Sequence, residues 1–273
     1  MSKDSLNVVQ QALNEDIGSG DVSASLLPDT QVSASIVARE SAIICGIDYA
    51  QQAFSLTDDS IQINWQIADG DQAVENQTLC TLSGLASSIV SAERVALNFL
   101  QTLSAVATQT QTLVEKISHT KTQLLDTRKT IPGLRLAQKQ AVKCGGGVNH
   151  RLGLYDCVML KENHIIAAGS IKQAVQSAIE KYPDLPLIVE VENLDQLQQA
   201  LVLDGITRAL CDNFSIDDLA EAVVLAKGKL PLEASGNIDA DNIVATANTG
   251  VDYISIGSIT KNIQAIDLSL RFS

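Results

Sequence analysis

Residues 187–236 read LIVEVENLDQLQQALVLDGITRALCDNFSIDDLAEAVVLAKGKLPLEASG. Three short apolar runs, Leu187–Glu192, Arg208–Cys211 and Leu230–Glu233, alternate with two amphipathic stretches, Leu194–Leu203 and Ile216–Ala226. The runs have strand length. The stretches place apolar residues every third or fourth position, the period of a helix with one buried face. Successive runs begin about twenty residues apart. Alternation of strand and helix at this spacing predicts parallel strands joined by right-handed crossovers.

Working outward, the pattern continues on both sides. Strands are expected at Gln123–Asp126 and Cys157–Lys161 before the quoted stretch and at Tyr253–Ile256 after it, with helices at Ile171–Lys181 and Ala240–Asn248. A doubly wound sheet and a barrel both satisfy this order, and the polar residues decide between them. Each run ends in a group fit for chemistry: Asp126 followed by Thr127-Arg128-Lys129, then Lys161, Glu190 with Glu192, Asp212-Asn213, Glu233-Ala234-Ser235-Gly236 and Gly257-Ser258. A doubly wound sheet would gather such residues at one switch point. A barrel draws its active site from the C-terminal ends of several strands. The chain is therefore read as α/β with a barrel in its second part.

The first 85 residues follow a different pattern. Leu6–Leu13 suggests a short helix, and Gln31–Ala38 and Ile61–Ile67 alternate apolar and polar like half-buried strands. Thr78–Leu82 suggests another strand, and the whole a small, mostly antiparallel α+β domain. From Ser88 to about Lys116 there is no Pro or Gly, and apolar residues recur at three, four and seven. One long helix, or a close pair, joins the two parts.

The bulk properties exclude several classes. The chain has 273 residues, 45% of them hydrophobic, which is ample for a large core. No stretch is apolar for the roughly 18 residues of a membrane span, and the start lacks the apolar segment of a secretory signal. Five dispersed cysteines, Cys45, Cys80, Cys144, Cys157 and Cys211, fit neither a disulfide framework nor a zinc finger and point to reduced thiols in a cytoplasmic protein. A net charge of −13 argues against binding nucleic acid or anionic membranes. Yet between Asp126 and His164 seven Lys and Arg face three acidic residues. This basic block, interleaved with Gly145-Gly146-Gly147 and two histidines, favours an anion site over a merely solvated face.

Glu190 and Glu192 lie two apart and so share a face of their strand: the lumen of a barrel, or its outside as an ion-paired surface. Ser235-Gly236 and Gly257-Ser258 follow the last two strands, where barrels commonly cradle phosphate with backbone N–H groups. The segment Cys144–Arg151 has the spacing of neither a P-loop nor a dinucleotide fingerprint, and reads as a tightly turned loop presenting His150 and Arg151. His164 is expected to order the loop after Lys161, and His119 to sit on a helix surface.

The stretches Asp126–Arg135 with Lys139, Gly145–Leu154 and Lys161-Glu162-Asn163-His164 resemble the quinolinate phosphoribosyltransferases, also called nicotinate-nucleotide pyrophosphorylases (carboxylating). The resemblance extends to Glu15–Asp21, Ala92–Leu100, Val189–Asn193, Asp212–Phe214, Leu232–Gly236 and Val251–Ser255, nearly the whole chain in order. It implies an N-terminal α+β sandwich-like domain over residues 1–104 and an incomplete (β/α) TIM-like barrel over 105–273, with a tail from about 264 packing back on the first domain. It also implies transfer of phosphoribosyl from phosphoribosyl pyrophosphate to quinolinate with decarboxylation, giving nicotinate mononucleotide, CO2 and pyrophosphate for NAD biosynthesis. Mg2+ would assist, and a homodimer or larger homo-oligomer would share its active sites between subunits.

Carried onto this sequence, the resemblance has Arg94 reach a quinolinate carboxylate across the dimer. Arg128, His150 and Arg151 would hold the two carboxylates, and Lys129 and Lys161 would serve substrate or pyrophosphate. Glu190 and Asp212 would bind the Mg2+–ribose or stabilise positive charge on the ribose. Ser235, Gly236 and Gly257 would cradle the 5′-phosphate. Three positions depart from the family pattern: Ile131 stands where Thr is usual, Glu162 where Asp is usual, and Asn237 where Gly is common. The rival readings are a sister phosphoribosyltransferase with another acceptor and a catalytically silent phosphate-binding barrel.

Overall fold

The structure, a computed structural model, describes residues 3–273 and falls into two compact units. One comprises residues up to 111 with 131–146 and 262–273, and the other 112–130 with 147–261. The division expected at 104/105 falls inside the long helix α3 (Ala86–Lys116).

In the first unit β1 (Gln31–Ala38) is paired antiparallel on both sides, with β5 (Thr78–Leu85) and with the C-terminal strand β12 (Leu268–Phe272). β3 (Gln62–Trp65) extends the sheet beyond β5, and β2 (Ala42–Ile43) and β4 (Gln72–Ala73) make a separate small pair. The alternation read from the sequence is the burial pattern: Ala34, Ile36 and Ala38 are buried, and their β5 partners Leu82 and Cys80 are buried with them. The helices of this unit are α1 (Lys3–Ile17), α2 (Ile47–Thr57), most of α3, and α4 (Arg135–Cys144). The start of α2 is capped from a distance. Asp69 Oδ1 accepts the N–H groups of Gly46 (2.9 Å) and Ile47 (3.1 Å), two donors that a helix start leaves without partners.

The second unit is a six-stranded parallel sheet. Its strands are β6 (Gln123–Leu125), β7 (Val158–Leu160), β8 (Leu187–Val191), β9 (Arg208–Asp212), β10 (Leu232–Ser235) and β11 (Tyr253–Ser255). They run in the order β6-β11-β10-β9-β8-β7, so β6 and β7 are the ends of an incomplete TIM-like barrel. The crossovers are α5 (Glu162–Ala168), α6 (Ile171–Lys181), α7 (Leu194–Leu201), α8 (Ile216–Ala226) and α9 (Ile243–Asn248), and α10 (Ser258–Lys261) follows the last strand. Three helices begin sharply because a side chain accepts an orphan N–H: Ser170 from Gln173, Asn193 from Gln196 and Ser215 from Asp218.

Strand periodicity builds the site. Cys157, Ile188 and Leu210 form one buried cluster with Met159 packed against it. Two residues further along the same faces stand Lys161, Glu190 and Asp212. An apolar floor thus passes into a polar layer at the C-terminal strand ends.

Candidate active site

A cavity of about 410 Å³ opens at those ends. Its cationic wall is Arg128, Lys129, Arg151 and Lys161, and its carboxylates are Glu190, Asp212 and Glu233. His150, Thr127, Ser235 and Ser255 complete the polar lining over Met159 and Leu210. Eight of the eleven residues anticipated from the sequence are gathered here.

The Gly-rich segment forms the wall beside β6. Val148 N–H donates to Leu124 O (2.8 Å) and Asp126 N–H to Val148 O (3.2 Å), so the chain rejoins the sheet in a single parallel bridge. The buried Asp126 then accepts His150 N–H on Oδ1 at 2.8 Å. Arg151 N–H donates to His150 Nδ1 at 2.7 Å, and Arg151 Nη1 to Cys157 O at 3.4 Å. The following turn closes on Asp156, whose carboxylate accepts Leu152 N–H and Gly153 N–H. Burial lowers the pKa of Arg151, and the nearby Arg128 guanidinium lowers it further. Two like charges are thus held within interaction range in a partly desolvated wall, an arrangement that a dianion relieves.

Opposite them, Lys161 Nζ donates to Glu190 Oε2 at 2.7 Å, with the Lys161 side chain 47% exposed and Glu190 14%. Lys161 also opens α5, and its backbone N–H donates to His164 Nδ1 at 3.1 Å, so His164 orders this loop as expected. Glu162 keeps an acidic group in the first turn of α5, the role an Asp would have there. Asp212 Oδ2 accepts Asn213 Nδ2 at 2.7 Å. Glu233, fully buried in mid-strand, accepts Arg208 Nη1 at 2.9 Å and lies 3.4 Å from His150 Nε2.

A second cavity of about 270 Å³ shares Ser235 with the first and is lined by Asn213, Gly236, Asn237 and Asn242. Gly236 has φ +93°, and a Cβ there would lie 2.2 Å from Asn213 Oδ1. Asn237 adopts φ +51°, a region Asn visits more readily than most residues, and its Nδ2 donates to Asn213 Oδ1 at 3.1 Å. Asn is therefore accommodated where the family often has Gly. Gly257 lies behind the cationic wall: a Cβ there would come within 2.9 Å of Lys129 Cδ. Ile131 engages the buried Gln138 through its backbone N–H (2.8 Å), a contact that a Thr would make equally.

Arg94 is exposed on α3 and does not line the first cavity. Glu192 lies past the end of β8, exposed, and is no second lumen carboxylate. His119 is an exposed residue bonded to Asn248, away from the site. Sequence reasoning missed Arg208 and Ser255 as parts of the site, and it named Glu233 and Asn213 at strand ends without giving either a role. The available signal was strand parity: Glu233 stands two residues before Ser235, a lone carboxylate in an otherwise apolar run.

Glu190 and Asp212 are hard oxygen donors on adjacent strands facing one cavity. Mg2+ is typically held by one or two carboxylates together with substrate phosphates and water, and this pair meets that requirement.

Two family models match the chain: quinolinate phosphoribosyl transferase, N-terminal domain, over residues 21–104, and its C-terminal domain over residues 106–271. A quinolinate phosphoribosyltransferase [decarboxylating] of Nicotiana tabacum is 40% identical, covering 97% of this chain and 81% of its own. A probable nicotinate-nucleotide pyrophosphorylase [carboxylating] of Synechocystis is 41% identical over 96% of this chain and 90% of its own. The solved nicotinate-nucleotide pyrophosphorylase of Francisella tularensis superposes with a TM-score of 0.97 at 49% identity, covering 99% of this chain and 96% of that one.

Proposed function

The chain belongs to the quinolinate phosphoribosyltransferase family, and on that premise we propose how its own side chains divide the work. The reaction joins the ring nitrogen of quinolinate to C1′ of phosphoribosyl pyrophosphate. Pyrophosphate leaves with its bonding electrons, and the carboxylate adjacent to the ring nitrogen departs as CO2, leaving its bonding pair on the ring carbon, which takes a proton from water to give nicotinate mononucleotide. The observation that carries the assignment of roles is the convergence of four cations and two strand-end carboxylates on one cavity.

Arg128 and Arg151, with His150 packed behind Arg151, form the cradle for the two ring carboxylates. Guanidinium groups offer planar, bidentate contacts to a carboxylate that a lysine does not. Their mutual repulsion in the free pocket favours a doubly charged ligand over nicotinate. Lys129 and Lys161 neutralise pyrophosphate as it leaves. Glu190 and Asp212 face the ribose, where positive charge develops as that bond breaks. Lys161 moves from Glu190 towards the substrate, and the freed carboxylate then serves the developing cation. Ser235, Gly236 and Gly257 receive the 5′-phosphate through backbone N–H groups and the Ser235 hydroxyl. The cations also stabilise the ring's negative charge when CO2 leaves. Positioning and electrostatics suffice, and no covalent nucleophile is required.

Glu190 and Asp212 would hold Mg2+, which supplies positive charge beside the pyrophosphate. The active unit is a homodimer or larger homo-oligomer in which Arg94 of one subunit completes the carboxylate cradle of the next. The exposed position of Arg94 on α3 supports this reading. Calorimetric titration tests the cradle: quinolinate should bind at least roughly tenfold tighter than nicotinate, as expected for one extra charge-assisted bidentate contact. Equal affinities would overturn it.

A further inference from the structure

We infer that Glu233 is a positioning residue of the quinolinate site, acting through His150 on Arg151; this rests on the placement of the ring carboxylates at Arg128 and Arg151 proposed above. Glu233 has no exposed surface. A carboxylate removed from water must be compensated by charge or hydrogen bonds. Its compensation comes chiefly from two sides, with a smaller contribution from the Ser255 hydroxyl. Arg208, at the start of β9, donates Nη1 to Oε2 at 2.9 Å, with its guanidinium carbon 4.3 Å from the centre of the Tyr253 ring. His150 brings Nε2 to 3.4 Å from the same oxygen.

The far side of the imidazole fixes what Nε2 carries. Arg151 N–H donates to His150 Nδ1 at 2.7 Å. A ring nitrogen that accepts has no proton, so the ring proton is on Nε2, within ion-pairing distance of Glu233 Oε2 but outside hydrogen-bond geometry. The opposite tautomer would set a lone pair against the carboxylate and an N–H against the Arg151 N–H. Burial pushes the Glu233 carboxyl up, but the contact with His150 and the charge of Arg208 outweigh it and hold the group below the ordinary glutamate value. An ionised Glu233 therefore selects one tautomer, and that tautomer pins the Arg151 peptide. Asp126 anchors the same loop through His150 N–H.

Pinning matters because Arg151 is pushed the other way. Its guanidinium is disfavoured by burial and by Arg128. Left free, it gains by turning towards solvent, away from where a ring carboxylate must be met. The chain of contacts from Arg208 through Glu233 and His150 to the Arg151 backbone opposes that motion before substrate arrives.

Glu233→Gln keeps the shape and removes the charge. Its amide presents either oxygen or NH2 to Nε2 and no longer selects the tautomer. The quinolinate KM should rise roughly tenfold, the scale of one charged hydrogen bond, while the phosphoribosyl pyrophosphate KM stays within about twofold. In a His150→Ala background the same change should add less than about twofold, because its route is already cut. Equal rises in both KM values, or additive effects in the double variant, would overturn the inference. If Glu233→Gln does not fold, nitrogen NMR of the unaltered protein decides. The chain has three histidines, so the His150 signals are identified by their loss in His150→Ala. A ring that carries its proton on Nε2 and none on Nδ1 is expected, and a ring protonated at Nδ1 would refute the inference. Arg151→Ala separates the two levels. An unchanged quinolinate KM there refutes the carboxylate placement and this inference with it. A raised KM there, with an unchanged one in Glu233→Gln, refutes this inference alone.

Discussion

Gly236→Ala is the substitution whose cost can be worked most directly from the structure. Gly236 follows Ser235 at φ +93°, a conformation that costs a residue with a Cβ about 1–3 kcal/mol. The new Cβ would lie 2.2 Å from Asn213 Oδ1 and 2.9 Å from Asn213 N. The side chain can swing away only by giving up its bonds to Asp212 (2.7 Å) and Asn237 (3.1 Å), each worth about 1 kcal/mol at most at this exposed site. The backbone nitrogen has no such freedom, because Asn213 N–H donates to Ser235 O at 2.8 Å and stitches β9 to β10. The sum is about 1–5 kcal/mol, or a Tm lower by roughly 2–10 °C in calorimetry for a chain of this size. The displaced Asn213 lines the second cavity and is bonded to Asp212 of the first, so the KM for phosphoribosyl pyrophosphate should rise roughly tenfold while that for quinolinate changes less. A variant with Tm within about 2 °C of the original and an unchanged phosphoribosyl pyrophosphate KM would refute the reasoning.

Other expectations follow from the same geometry. Lys161→Ala should lower kcat by roughly 10²-fold with a smaller change in quinolinate KM, since its charge is needed most as pyrophosphate leaves; a pure KM effect in steady-state kinetics would reassign it to ground-state binding. Ser215→Ala removes the cap of α8 and should cost about 1 kcal/mol in urea unfolding with kinetics unaltered. Chelation by EDTA should abolish turnover, and Glu190→Gln or Asp212→Asn should raise the Mg2+ concentration giving half-maximal rate; identical Mg2+ curves would remove both residues from the metal site. The pH dependence of stability has a definite sign at Glu233. Its folded pKa lies below the ordinary 4.5, so its contribution is present above 4.5 and lost as pH falls through the lower folded value. Urea unfolding at about pH 5 and about pH 3 should therefore show the difference between the protein and Glu233→Gln shrinking at the lower pH; a constant difference would contradict the ionised, compensated state.

Much of the barrel was legible because its strands are short apolar runs and its crossovers have one clean apolar face. Ile171–Lys181 and Ile216–Ala226 are helices over the residues expected, and the C-terminal strand ends carry the polar groups. Among the helices, α2, α4 and α5 escaped notice, the first two for physical reasons visible in the structure. α4 is strongly polar and buries Gln138 and Lys139, so its inner face does not look apolar. α2 has no local cap in its sequence, because the carboxylate that satisfies its first N–H groups comes from Asp69, over twenty positions away. The same limit applied to the site. Residues at strand ends and in the Gly-rich loop could be found by position, whereas Glu233 and Arg208 matter through a lateral pairing between β9 and β10 that depends on register. Glu190 and Glu192 show the reverse error. Parity placed both on one face, but the strand stops at Val191, and only Glu190 faces the cavity.

The central claim is that this pocket takes a dicarboxylate and phosphoribosyl pyrophosphate. Its most direct test is to incubate the purified protein with quinolinate, phosphoribosyl pyrophosphate and Mg2+ and to follow nicotinate mononucleotide, with nicotinate as a parallel acceptor. Product from quinolinate and none from nicotinate is the predicted result. Product from nicotinate at a comparable rate would contradict the two-carboxylate cradle, and no product from either would favour a sister enzyme with another acceptor or a silent barrel.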